Sequence, residues 1–224
     1  TAAGLQSNVG TTIAGTGVIQ GNSVILGNLK PGDEAGSTMG TLVVNGALQL
    51  GSTSATTFQV QRPSYTNASS VDYNDATNYG AWISGIATDA TYSHLLNDTV
   101  TTAQHDQLLV MGGLTIDAGG KIVLTNMGYT PTAGDVFNLI DWVGALTGSF
   151  NVGGTSYNGG LLRTGAETGT DLDLFELGSD YRWDVSQFNT QGILVVVTPE
   201  PGRMVLLLFG LLGLCVRRRR RQTV

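Results

Sequence analysis

The sequence predicts an all-β chain: a short parallel β-helix (β-solenoid) body carrying one C-terminal transmembrane α-helix. Three observations lead there. Short apolar alternations are broken by glycine at most corners, the pattern of brief strands joined by tight turns. Part of that pattern recurs inexactly later in the chain, and the last residues form an uncharged leucine-rich run that ends in a block of arginines.

From Thr11 to Val60 the apolar groups are Val18-Ile19, Val24-Ile25-Leu26, Leu29, Leu42-Val43-Val44, Ala47-Leu48-Gln49-Leu50 and Phe58-Gln59-Val60. Nothing in this stretch favours helix. Setting Gly40–Leu50 over Asp106–Ile116 places Leu42 on Leu108, Val44 on Val110, Gly46 on Gly112, Leu48 on Leu114 and Leu50 on Ile116. With a loop differing by two residues, Phe58 and Val60 then fall on Ile122 and Leu124. Units of strand, glycine corner and strand bury their inward faces only by stacking on one another, which is the rule of solenoids.

Between the two copies, Gln61 to His105 is rich in Thr, Ser, Asn, Asp and Tyr and is expected to leave the stack as an excursion. Its Gly80 to Leu96 portion has the makings of a short helix or a strand, held by Trp82, Ile83, Tyr92 and Leu95. Further on, Gly128-Tyr129-Thr130-Pro131 marks a turn and Gly134 to Trp142 a buried strand with Phe137, Leu139 and Trp142 inside. After a glycine-rich stretch, Asp171-Leu172-Asp173-Leu174 alternates strictly, leucines toward the core and aspartates away. Trp183-Asp184-Val185 and the β-branched Gly192 to Val197 close the fold.

The tail follows at once. Pro199, Glu200 and Pro201 precede an apolar run from Met204 to Val216, and Arg217, Arg218, Arg219, Arg220 and Arg221 stop it. As a helix the run is about 20 Å long at ~1.5 Å per residue, short of a ~30 Å hydrocarbon core. It spans if Arg203 and the arginine block snorkel to the two interfaces and the bilayer thins. Each arginine drawn into the bilayer costs about 2.5–3.5 kcal/mol even on insertion scales, so the block stays cytoplasmic and the body lies outside.

A proline-bracketed glutamate, a short hydrophobic helix and a terminal arginine cluster, in that order, resemble the PEP-CTERM sorting signal of Gram-negative bacteria. The resemblance implies recognition by exosortase, a membrane-embedded cysteine transpeptidase-like enzyme, with processing near the tripeptide. By the same resemblance Pro199, Glu200 and Pro201 carry recognition, Met204 to Val216 retention in the lipid bilayer, and the arginines topology. Residues 1–198 are then an exported domain with its excursion at about 61–105, and residues 199–224 the signal. The implied route runs from the inner membrane, with the body exported, to the cell surface or extracellular matrix. The segments from Asn28 to Leu50, Asp106 to Ile116 and Gly128 to Trp142 are also similar to the autotransporter-associated β-strand repeats of bacterial surface proteins, though no translocator barrel follows them.

Composition limits the alternatives. Charged residues are 12%, about half the usual share for soluble domains. The net charge of −6 divides into +5 beyond Thr198 and −11 before it, where Lys30, Arg62, Lys121, Arg163 and Arg182 are the cations. An acidic body without a basic stripe excludes nucleic acid as a partner. The single cysteine, Cys215, lies in the apolar run, so the body folds without an internal disulfide. The opening TAAGLQSN has no initiating Met, basic n-region or apolar h-region, so an export signal is expected ahead of it.

Candidates for chemistry are few. His94 and His105 lack the spacing of a helical zinc pair, and no Gly-x-Ser-x-Gly elbow is present. His105 beside Asp106 is a candidate base, for which a capping role fits better. Asp171, Asp173, Glu176 and Asp180 form the densest acidic group, but alternation turns the aspartates apart rather than onto one calcium ion. The glycines at 15, 17 and 21 miss the dinucleotide-binding spacing by one residue and read as turns. No catalytic residue, cofactor or metal is expected. The sequence reads as an exported, non-catalytic surface or matrix protein, in contact with exosortase, the bilayer and, as a further expected partner, exopolysaccharide. The alternative is a β-helix carbohydrate-active enzyme or polysaccharide-binding protein with the same tail.

Overall fold

The computed structural model describes residues 3–32, 39–61, 65–66, 105–157, 160–165 and 167–198. The sorting residues Pro199, Glu200, Pro201 and Arg217 to Arg221, the apolar run between them, and Trp82, Ile83, Tyr92, His94 and Leu95 all lie outside these residues. Among the described residues the chain is mostly β, and no helix is long and apolar enough to cross a membrane.

The chain lays down β1 (Ala3–Ser7) and β2 (Thr12–Gly15), then a triplet β3 (Gly17–Gln20), β4 (Asn22–Ile25) and β5 (Asn28–Pro31). A second triplet is β6 (Thr41–Asn45), β7 (Leu48–Leu50) and β8 (Ala55–Val60); β9 (Tyr65–Thr66) follows it. The third is β10 (Gln107–Val110), β11 (Leu114–Ile116) and β12 (Lys121–Asn126). Then come β13 (Asp135–Asn138), β14 (Ile140–Trp142), β15 (Leu146–Thr147), β16 (Thr155–Tyr157), β17 (Gly160–Arg163), β18 (Leu172–Asp173) and β19 (Arg182–Asp184). A one-turn helix α1 (Phe188–Gln191) and β20 (Ile193–Val197) finish the fold.

Three sheets are parallel, in the orders β1-β4-β7-β11-β15, β3-β6-β10-β14 and β2-β5-β8-β12-β18. Each triplet contributes one strand to each sheet, so identical positions of successive triplets meet. Leu42, Leu108 and Ile140 form one inward ladder, Val44, Val110 and Trp142 another, and Leu48, Leu114 and Leu146 a third. Alternation does this: β6, β8 and β10 bury every second residue, and the strand's period of two sends those side chains to one side. Each fully buried Leu, Val or Phe contributes about 1.5–3 kcal/mol, so the ladders hold the stack together.

The pairing of Gly40–Leu50 with Asp106–Ile116 is the one expected from sequence. The next strand is not. Ile122 lies beside Thr56 and Leu124 beside Phe58, two residues from the expected register. Sequence alignment had set aliphatic on aliphatic by shortening one loop, whereas the two loops are equal in length and Thr56 takes an inward place, fully buried. A slip of two keeps every side chain on its own face, so periodicity could not detect it.

Glycine is required at the corner between the second and first sheets. A Cβ on Gly46 would lie 2.5 Å from the backbone of Gly21, one on Gly112 2.6 Å from Gly46, and one on Gly144 2.8 Å from Gly112. These residues stack directly, with the Gly144 N–H donating to the Gly112 carbonyl at 2.9 Å. Their role is close approach of backbone to backbone.

The later part of the chain departs from a purely parallel stack. A six-stranded antiparallel sheet, β16-β17-β19-β20-β13-β9, packs its buried residues into the same core. The expected strand from Gly134 to Trp142 is two strands, β13 in this sheet and β14 in the second parallel sheet, so the chain passes from one to the other at Leu139. Short hairpins explain the change of direction: β16 and β17 are joined by two residues, a length that admits only antiparallel pairing.

Helix α1, unheralded by the sequence, packs on the segment that follows β15. Phe188 is buried with its ring 5.5 Å from that of Phe150, and Asn189 exchanges two 2.9 Å hydrogen bonds with the Phe150 backbone. Gly192, left-handed at φ 68°, ends the helix, and its carbonyl accepts from the Leu139 N–H. Strands β1, β2 and β3 are the outermost strands of their sheets.

Candidate functional site

Titratable side chains gather at the start of β10 and around β13 and β14; the excursion expected at about 61–105 lies almost wholly outside the described residues. Asp106 precedes β10 and is buried; its Oδ1 accepts from the Gly40 N–H at 3.0 Å and its Oδ2 from the Gln59 N–H at 2.8 Å. One carboxylate thus ties two successive triplets through backbone donors. His105 Nδ1 lies 2.9 Å from the Asp106 carbonyl, and its ring meets the edge of Phe137 at 6.3 Å. The histidine borders the core and its neighbour's carboxylate is spent on the backbone, an arrangement suited to bracing.

Beyond them is an aromatic group. Tyr129, Phe137, Phe175 and Trp183 meet edge-to-face at 5.1–6.2 Å, the geometry favoured by ring quadrupoles. The Tyr129 hydroxyl donates to Asp135 Oδ2 at 2.6 Å, and the same oxygen accepts from the Thr132 N–H at 2.9 Å. Burial first, then that carboxylate, push the Tyr129 phenol far above its ordinary range. In the turn expected at Gly128 to Pro131 the backbone bends at Met127 and Gly128, with Gly128 left-handed, and Tyr129 ties it to Asn126 and Asp135.

Asp141, on β14, is the group whose titration is moved into the neutral range. Its Oδ2 accepts from Gln107 Nε2 at 3.0 Å and from Asn138 Nδ2 at 2.9 Å. Burial pushes its carboxyl up to about 7, against the lowering effect of the Asn138 bond. A carboxyl near neutrality can give or take a proton at physiological pH. The only sequence signal was an acid inside an apolar strand, in Asn-Leu-Ile-Asp-Trp.

The shift has a stability consequence with a definite sign. Between the ordinary carboxyl value and about 7 the folded chain holds a proton that the unfolded chain has lost, so Asp141 costs stability progressively as pH rises through that window. Asp141→Asn keeps an acceptor for Gln107 and Asn138 without the charge. It should stabilise the protein by about 2 kcal/mol at pH 8 and by little at pH 4, read from urea unfolding at both values. Equal effects at the two pH values would refute the assignment.

The acidic group around Asp171 does not converge. Asp171 Oδ2 accepts from the Asn151 N–H at 2.7 Å, Asp173 is exposed, and Asp180 takes a bond from Ser179. Among the described residues no three His, Cys, Asp or Glu side chains are placed to hold a metal ion. Leu172 and Leu174 are fully buried, as their alternation implies. The charged residue that sequence reasoning passed over is Arg163, which is 1% exposed. Its Nη1 donates to Val152 O at 2.8 Å, and its Nη2 to Gly165 O and Leu172 O at 2.9 Å and to Thr170 Oγ1 at 3.1 Å. Burial lowers its pKa, while Glu167, 3.5 Å from Nε, and Asp173 oppose that.

Comparison of the chain with protein-family models, with curated proteins and with solved structures gives no match.

Proposed function

We propose that this is an exported, non-catalytic structural protein of the cell surface or extracellular matrix, a β-solenoid body delivered through a PEP-CTERM tail that exosortase recognises. The observation that carries the reading is where the fold closes. Strand β20 is buried along its whole length, pairs with both β13 and β19, and ends at Val197, two residues before Pro199. The tripeptide therefore follows directly on the last strand of the body, where an enzyme can sever the tail without touching a core residue. In-register parallel pairing supports the solenoid: three strands per turn, ladders of Leu, Val and Ile inside, and a glycine column at one corner. Buried carboxylates support a structural role, since Asp106 and Asp135 accept from backbone N–H groups.

The test is the mass of the mature chain in cells with and without exosortase. With the enzyme, intact-mass spectrometry should show loss of the apolar run and arginine block, and Glu200→Ala should abolish that loss. An unchanged mass in the presence of an exosortase that processes other PEP-CTERM substrates would refute the proposal.

A further inference from the structure

Strand β20 has no edge left to offer. Along one side Ile193, Leu194 and Val195 pair with Asn138, Phe137 and Val136 of β13, and the Gly134 N–H donates to the Val196 carbonyl at 2.8 Å. Along the other, Val195, Val196 and Val197 pair with Asp184, Trp183 and Arg182 of β19. These three valines are buried, the most exposed of them at 2%. Enzymes that cut or transfer a peptide bind it extended, added as a strand to their own backbone groups. A strand paired on both edges cannot be taken up in that way, so in the folded body nothing before Thr198 is open to such an enzyme. The tail beyond Thr198 lies outside the described residues and contributes its sequence only.

Taking the tail as the sorting signal proposed above, we infer that exosortase cuts on the far side of the tripeptide, at the bond after Pro201 or the bond after Gly202. Folding removes the bonds on the near side. The bond between Val197 and Thr198 has only β20 ahead of it, and the bond between Pro199 and Glu200 has two free residues, Thr198 and Pro199. The bonds before Pro199 and Pro201 are tertiary amides, with no N–H and a ring on the leaving nitrogen. After Pro201 the enzyme has Thr198 to Pro201 to hold, about 13 Å of chain at ~3.3 Å per residue. From Met204 onward the apolar run belongs to the bilayer, with Arg203 at its border. In the step itself the enzyme's cysteine thiol adds to the carbonyl carbon of Pro201 or Gly202, the C–N bond breaks, and the amine of Gly202 or Arg203 leaves with the thiol's proton. Water or an amine then displaces the thiol from the thioester, and the body is left with a carboxylate or an amide.

The experiment expresses the full chain with exosortase and locates the new end by mass spectrometry of the C-terminal peptide of the mature body. Pro201 or Gly202 is the expected last residue. An end at Glu200 or earlier, or at Arg203 or later, would overturn the inference but not the sorting reading. No loss of the tail, with an exosortase that processes other substrates, would overturn both. Deleting Thr198 tests the cause. One residue must then be peeled from β20, breaking the pairing of Val197 with Arg182, and the rate of tail loss should fall about two- to tenfold, the weight of one backbone hydrogen bond. Inserting Gly-Ser between Val197 and Pro199 of that variant should restore the rate. Recognition of the tripeptide alone predicts the same rate with and without Thr198, and that result would overturn the part assigned to β20.

Discussion

Arg163→Ala should cost about 3–5 kcal/mol of stability, because it strips buried acceptors of their donor. The guanidinium serves the carbonyls of Val152 and Gly165 and the hydroxyl of Thr170, from the glycine-rich stretch after β15, and the carbonyl of Leu172 at the start of β18. That stretch contains little apolar surface to order it, so a planar fork with several donors replaces a core. Leu172 is also the residue of β18 that pairs with Ile122, so the damage should reach the edge of the third parallel sheet. Hydrogen exchange should show protection lost at Leu172 to Leu174 before it is lost at Leu108 to Val110. Arg163→Lys should recover less than half the loss, since one ammonium cannot reach acceptors that lie in these several directions. A cost below about 1 kcal/mol for Arg163→Ala would mean that water serves these carbonyls as well.

Gly112→Ala should cost about 3 kcal/mol, at the upper end of ordinary overpacking. The added methyl would sit 2.6 Å from the Gly46 carbonyl carbon, and the obstacle is backbone, which cannot turn aside as a side chain does. Relief requires separating two paired triplets, weakening the hydrogen bonds on both sides of the corner. Gly128→Ala is the informative control. Gly128 has φ 91° but nothing within 4 Å of its Cβ position, so it should show only the roughly 1 kcal/mol cost of a strained backbone. Urea midpoints for the two variants separate crowding from dihedral strain. Equal losses would show that spacing at the column is not what glycine secures.

Much of the stack was legible because its signals are local and repeated. Leu42, Val44, Leu48 and Leu50 announce their partners Leu108, Val110, Leu114 and Ile116 by recurring in the same order around the same glycine. The Phe58 register was misread because Thr56, a polar residue, occupies an inward place, and nothing in its type marks it as buried. Asp141 and Arg163 were hidden for a related reason: a charged residue looks exposed until the segments that bury and bond it are assembled, and for Arg163 those partners span residues 152 to 172.

Strand formation, inward alternation, the match of Gly40–Leu50 to Asp106–Ile116 and the order of blocks after Thr198 were determined by the sequence alone, since each depends on residues within one strand, one corner or one tail. Tertiary structure decided the rest: the two-residue register, the antiparallel sheet and the packing of α1 on the Phe150 segment. Those outcomes depend on which distant segments compete for the same backbone hydrogen bonds and the same buried volume, and no local pattern carries that information.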